Sequence, residues 1–215
     1  LKAELAEIEA RKRRQVRARA GEHFLVSLVG YTNAGKSTLM RALTGEDVAT
    51  QDQLFVTLDT RTAALRLGGG FQALLSDTVG FIRRLPHHLV ASFHATLEEA
   101  RHADLLLHVV DVFSPLAREQ MAAVEEVLRQ VGCADQEVML TFNKVDRIAP
   151  ERELEFRLLL REYPQAVPIS ALRRSGLEEL RRRLLERART RARPARIVVF
   201  AGDGKALSFL ATHFF

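Results

Sequence analysis

Phe24-Leu25-Val26-Ser27-Leu28-Val29-Gly30-Tyr31-Thr32-Asn33-Ala34-Gly35-Lys36-Ser37 is the stretch on which the reading of this 215-residue chain turns. Six residues, apolar apart from Ser27, run into Gly30. Lys36 then opens a helical pattern to Leu43 that Gly45 stops. The first segment reads as a buried strand and the second as a helix. Between them stands G-x-x-x-x-G-K-S. Gly30 and Gly35 let the backbone come close to phosphates, and N–H groups from about Asn33 to Thr38 gather at a helix N-terminus. Strand, glycine loop and helix in this order are the context in which the motif cradles a nucleoside triphosphate. Lys36 would reach the β- and γ-oxygens, and Ser37 would offer its hydroxyl to Mg²⁺.

Outward from this loop, strands and helices alternate. Ala63 to Leu67 and Phe71 to Ser76 read as strands, with Gly68-Gly69-Gly70 as the hairpin turn between them. Leu105 to Asp111 and Val138 to Phe142 read as buried strands, followed by helices near 116–131 and 151–162. Ala166 to Ile169 makes a short last strand before a helix from Gly176 to about Arg189. A further helix is expected from about Pro86, with proline in its first turn. This order predicts an α/β fold: a mostly parallel six-stranded sheet, one antiparallel edge strand from the hairpin, and helices on both faces. Residues 1–20 read as the end of a helical linker and 21–190 as the main domain. Residues 195–215 read as the start of a truncated second domain, because one strand and one helix bury too little to stand alone.

Three further segments make sense as partners of the phosphate loop. Asp77-Thr78-Val79-Gly80 ends a strand. Asp77 can hold the metal through a bound water, and the Gly80 N–H can meet the γ-phosphate, so loss of that phosphate releases the segment. Asn143-Lys144-Val145-Asp146 selects the base. Guanine presents two adjacent donors that the Asp146 carboxylate can accept, whereas adenine would leave that carboxylate unpaired. Lys144 would lay its aliphatic stem on the base, and Asn143 would brace the loops. Ser170-Ala171-Leu172 follows the last strand, where the Ala171 N–H can meet the guanine oxygen. The switch logic also requires a threonine on Mg²⁺ from the loop 46–60 or its edge. Thr50, Thr57, Thr60 and Thr62 all qualify by spacing.

Composition bounds the rest. At 47% hydrophobic and 27% charged the chain is globular. The single cysteine, Cys133, offers no disulfide framework and fits a reducing, cytoplasmic setting. No apolar run approaches the ~18 residues of a membrane helix. The chain begins at Leu1 and reads as a fragment. Its net charge of +5 is unevenly distributed. Residues 1–20 carry seven Lys/Arg against three Glu, and residues 171–196 carry ten Arg against three Glu, which leaves the remainder at −6. Basic flanks can contact nucleic-acid phosphates, or they can be Arg-rich helices with solvated faces. His87, His88, His94 and His102 do not converge at helical spacing and carry no metal-site reading.

The quoted motifs resemble those of the HflX GTPases. Gly30 to Leu39 is similar to their phosphate loop, and Asp52-Gln53-Leu54-Phe55-Val56-Thr57-Leu58-Asp59 to their first switch. Asp77 to Arg83, with Leu85-Pro86-His87 and Ala95-Thr96-Leu97-Glu98-Glu99, resembles their second. The resemblance covers about residues 1–190. It implies a P-loop GTPase domain, GTP or GDP as bound nucleotide, and Mg²⁺ held by Ser37, Thr57 and Asp77. It implies nucleotide contacts from Phe55, Val56, Thr57, Leu58 and Asp59, and catalytic roles for Lys36, Thr57 and Gly80. It also implies a monomer that binds the large ribosomal subunit and separates stalled or idle ribosomes under stress.

Phe81 stands where many small GTPases carry the glutamine that orients the attacking water. The chain is therefore expected to turn over slowly until a partner completes the site. Two other readings remain: a ribosome-assembly GTPase of a neighbouring family, or a nucleotide-gated RNA-binding module with negligible hydrolysis.

Overall fold

The computed structural model describes residues 24–45, 61–77, 100–192, 203–205 and 208. The expected linker helix, the first switch with Thr57, the segment Thr78-Val79-Gly80-Phe81, the helix from Pro86 and most of 195–215 lie outside the described residues.

Six strands form one sheet: β1 (Phe24–Val29), β2 (Arg61–Gly68), β3 (Phe71–Asp77), β4 (Leu105–Asp111), β5 (Val138–Asn143) and β6 (Val167–Pro168). The order is β2-β3-β1-β4-β5-β6. Every pairing is parallel except β2 with β3. The antiparallel strand sits at the edge, as the Gly68-Gly69-Gly70 turn requires: all three glycines take positive φ. β2 alternates exposed and buried residues, while β4 is buried through six consecutive positions. One pattern suits an edge with one wet face, the other a central strand covered on both.

Helices lie on both faces. α1 (Lys36–Thr44) and α4 (Leu177–Arg191) cover one face. There Leu39, Met40, Leu43, Leu180 and Leu184 pack with Val26, Leu28, Leu105 and Leu107. α2 (Ala117–Gln130) and α3 (Glu153–Glu162) belong to the clusters on the other face. Cys133 is buried there beside Val124 and Leu128, and burial pushes its thiol up. β6 pairs with β5 only at Thr141–Val167 and Phe142–Pro168, shorter than the four residues expected. Pro168 has no N–H to extend the ladder. The helix expected from 151 begins at Glu153, after a 3₁₀ turn over Pro150–Arg152.

Several arginines of α4 reach other segments of the domain. Arg181 donates to the carbonyls of Arg66 (3.1 Å) and Leu43, joining α4 to β2 and α1. Arg183 bonds Glu179 (2.7 Å) and the Gln165 carbonyl (2.8 Å). Arg182 pairs with Glu179 and Glu186. Arg187 pairs with Glu137, Arg189 lies over the Phe71 ring, and Arg191 reaches Asp104. Arg181 and Arg183 thus brace the helix against neighbouring segments, while Arg182, Arg187, Arg189 and Arg191 are exposed and engaged at the surface.

Candidate nucleotide-binding site

The site is assembled at the C-terminal ends of β1, β3, β4 and β5, where an open parallel sheet places its ligands. Gly30 follows β1 and crosses the end of β4. A Cβ at Gly30 would lie 2.3 Å from the Val109 carbonyl oxygen, and its φ of 151° is unfavourable to any side chain. Asn33 (φ 60°) and Gly35 (φ 95°) turn the chain into α1, which Gly35 caps. A Cβ at Gly35 would meet Asn143 Nδ2 at 2.3 Å. Ala34 is buried beneath this turn, and Tyr31 and Thr32 are half-buried on it. Ser37 and Thr38 stand in the first turn of α1.

Lys36 is buried, and its ammonium donates to the carbonyls of Gly30 (3.1 Å) and Tyr31 (3.2 Å). Burial pulls its pKa down to about 8, opposed by the Asp77 carboxylate. At neutral pH it therefore remains a cation. The Ser37 hydroxyl donates to Asp77 Oδ2 at 2.5 Å. Asp77 is fully buried at the end of β3. A hydroxyl and a carboxylate in contact beside a phosphate loop are the oxygen donors a hard divalent cation takes, so these residues fit Mg²⁺. Among the described residues no group of three His, Cys, Asp or Glu forms another metal site.

Asn143 ends β5 and links three segments. Its Nδ2 donates to the Ala34 carbonyl at 2.9 Å, and its Oδ1 accepts the Ala171 N–H at 3.0 Å. Lys144, in the left-handed region at φ 66°, donates to the Asn33 carbonyl (2.7 Å) and to Asp111 Oδ2 (2.8 Å). Its stem thus spans from β5 to the phosphate loop. Val145 and Asp146 form a 3₁₀ turn tied to the last strand by Val145 N–H to the Ile169 carbonyl at 3.2 Å. Asp146 is exposed. Ser170 and Ala171 are buried, while Leu172 is 73% exposed. The structure thus brings together Gly30 to Thr38, Asp77, Asn143 to Asp146 and Ser170 to Leu172.

Two residues of this region escaped the sequence reading. Asp111 fixes Lys144 and accepts the Phe113 N–H at 3.0 Å. The signal was present: like Asp77, it is an acid at the end of a buried strand. His108 is 2% exposed on β4, paired with Val29 one residue before Gly30. Burial, helped by the Lys36 charge, holds its imidazole down to about 4, so it is neutral. Only its occurrence inside an apolar strand marked it.

The family described as 50S ribosome-binding GTPase matches residues 25–144, more than half of the chain. Curated relatives named GTPase HflX match beyond that stretch. The chain belongs to the HflX family of GTPases. It is 45% identical over 184 residues to the HflX of Lacrimispora saccharolytica, covering 84% of this chain and 42% of the relative. It is 41% identical over 212 residues to that of Magnetococcus marinus, covering 97% and 48%. It therefore spans less than half the length of these HflX proteins. Among solved structures, a GTP-binding protein of Sulfolobus solfataricus in complex with GDP superposes with a TM-score of 0.62 at 30% identity. That superposition covers 78% of this chain and 53% of the other. Among the described residues, no helix is long and apolar enough to cross a membrane.

Proposed function

We propose that this chain binds GTP with Mg²⁺, hydrolyses it to GDP and phosphate, and uses the nucleotide state to control contact with the large ribosomal subunit. Within the whole protein, that contact separates stalled or idle ribosomes under stress. The observation that carries the nucleotide reading is the Asn143 clamp, which ties the phosphate loop to Ala171 at hydrogen-bond distance. A base held between Lys144 and Leu172, with the exposed carboxylate of Asp146 at its edge, would be oriented by that clamp while its phosphates lie on Gly30 to Thr38.

Lys36 and the N–H groups of the loop would neutralise charge on the β- and γ-phosphates in a largely water-excluded setting, the main source of rate in phosphoryl transfer. Bound Mg²⁺ would be held by Ser37, Asp77 and, from the first switch, Thr57, and would supply further charge neutralisation. Residues Phe55 to Asp59 and Asp77 to Gly80 would respond to the γ-phosphate. Phe81 cannot hydrogen-bond a water, so turnover alone is expected at or below roughly 10⁻⁴–10⁻³ per second.

Two measurements test this. GTP turnover by the protein at its natural length, with and without purified large ribosomal subunits, should rise at least about ten-fold with subunits. No rise, with tight GTP binding intact, would favour a binding switch without ribosomal activation, the reading that Phe81 also suits. Asp146→Asn should weaken GTP binding by about a hundred-fold or more and shift preference to xanthosine nucleotides, because an acceptor becomes a donor at the base edge. Unchanged preference would remove Asp146 from its role.

A further inference from the structure

Six arginines lie from Ser170 to Arg187, and they fall into two groups. Arg181, Arg182, Arg183 and Arg187 on α4 are each engaged by carboxylates or carbonyls of the chain. Arg173 and Arg174 precede the helix, both are exposed, and neither side chain makes a hydrogen bond or ion pair within the described residues.

The loop that carries Arg173 and Arg174 is fixed. Ser170 bridges to Ser175 and donates its N–H to the Ser175 carbonyl at 3.1 Å. The Arg173 N–H donates to Ser170 Oγ at 3.0 Å. Gly176 closes the turn where a Cβ would lie 2.3 Å from the Pro168 carbonyl. Arg174 sits in the left-handed region at φ 57°. That conformation is unfavourable for a residue with a Cβ, and glycine takes it without that cost. A strained turn thus presents two adjacent unpaired guanidiniums, immediately after Leu172 in the guanine loop. Such forks match phosphate oxygens, and a pre-ordered turn lowers the entropy lost on contact.

We propose that Arg173 and Arg174 are a phosphate-contact point for RNA of the large ribosomal subunit, placed beside the guanine loop. This inference rests on the ribosomal reading above and names the chemistry of one contact within it. Because the turn is continuous with Ala171, which the Asn143 clamp holds, an RNA contact there would be registered to the nucleotide site. An acidic protein segment is the competing occupant.

The test is binding of the natural-length protein, loaded with a non-hydrolysable GTP analogue, to purified large subunits over a range of salt. The Arg173→Ala, Arg174→Ala double variant should reduce the slope of log affinity against log salt by about 1.4 to 1.8, since each phosphate neutralised contributes roughly 0.7 to 0.9. The corresponding double lysine variant should retain the slope, and GDP affinity of the free double-alanine variant should stay within about two-fold of the unaltered protein, as the loop fold is backbone-held. The same loss should appear with protein-free large-subunit RNA. An unchanged slope would overturn the proposal. So would a loss against intact subunits with none against the bare RNA, which would assign the turn to an acidic protein. Failure of the unaltered protein to bind subunits at all would remove the ribosomal reading and this contact with it.

Discussion

Asn143 and Lys144 commit their side chains to other segments of the chain: Asn143 to Ala34 and Ala171, Lys144 to Asn33 and Asp111. Lys36 and Ser37, at the opposite end of the site, bond the carbonyls of Gly30 and Tyr31 in their own loop and, at the end of β3, the carboxylate of Asp77. The first set builds a scaffold that a base can enter without disturbing it. The second set comprises the groups that phosphate and metal would need, so ligand binding there must exchange one set of bonds for another. Under the proposed function, the guanine end would thus be a preformed scaffold, and the phosphate end would depend on the ligand's state. Changes at the two ends should separate stability from nucleotide affinity.

The largest effect should come where the two ends share a backbone. Gly30→Ala places a methyl group against the Val109 carbonyl of β4, a backbone atom that cannot turn aside. We expect a loss of about 3 kcal/mol in stability and no measurable GDP binding. Thermal unfolding and GDP titration read the two separately. A stable Gly30→Ala protein that binds GDP would mean that the loop does not depend on its close approach to β4.

His108 tests the phosphate end through pH. Its folded pKa of about 4 lies below the ordinary value of 6.5, so between these limits the unfolded chain takes up the proton and the folded chain does not. Stability should be full above about pH 6.5 and fall by about 1.4 kcal/mol per unit towards pH 4, about 3 kcal/mol over the window. His108→Leu should flatten this limb in denaturant titrations. A limb that survives the substitution would belong to other groups.

Asn143→Ala tests the other end. It removes the amide that joins Ala34 to Ala171 and leaves a buried carbonyl and a buried N–H without their partner. About 2 kcal/mol of stability should go, and GDP affinity should fall at least about ten-fold. If affinity falls while stability does not, the residue is a ligand contact rather than a brace, and the proposed contrast between the ends fails.

The two ends also differed in how far the sequence disclosed them. Gly30, Gly35 and Lys36 were legible because their spacing is a local property of a strand, a turn and a helix. Asp77 was legible because it closes a strand recognised by its own alternation. The alternating order of apolar runs also predicted six strands with an antiparallel edge, and the sheet has both. The arginines of α4 were illegible: composition counts charges but cannot reveal that Arg181 turns back to Leu43 and Arg66 across more than a hundred residues of chain. His108 was hidden for the opposite reason. One polar residue in an apolar strand carries no period, and only the pairing of β4 with β1 shows that it lies beneath the phosphate loop. β6 was overextended because its apolar flanks, Ala166 and Ile169, are buried too, although the paired register holds only Val167 and Pro168 and Ile169 adds one N–H to the Phe142 carbonyl.

Ser37→Ala should have the smallest effect on the free protein and is the sharpest discriminator. The lost bond to Asp77 is one side-chain contact near the surface of the site, worth about 1 kcal/mol. Its hydroxyl is also the proposed metal ligand. In the presence of GDP, adding Mg²⁺ should therefore stabilise the unaltered protein by clearly more than it stabilises the Ser37→Ala variant. Without Mg²⁺ the two should differ by little beyond that lost bond. The contrast is read as a difference of differences in melting temperature, so a uniform loss of stability cancels. If Mg²⁺ stabilises both proteins equally, Ser37 serves only to hold Asp77. The phosphate end would then be a scaffold like the guanine end.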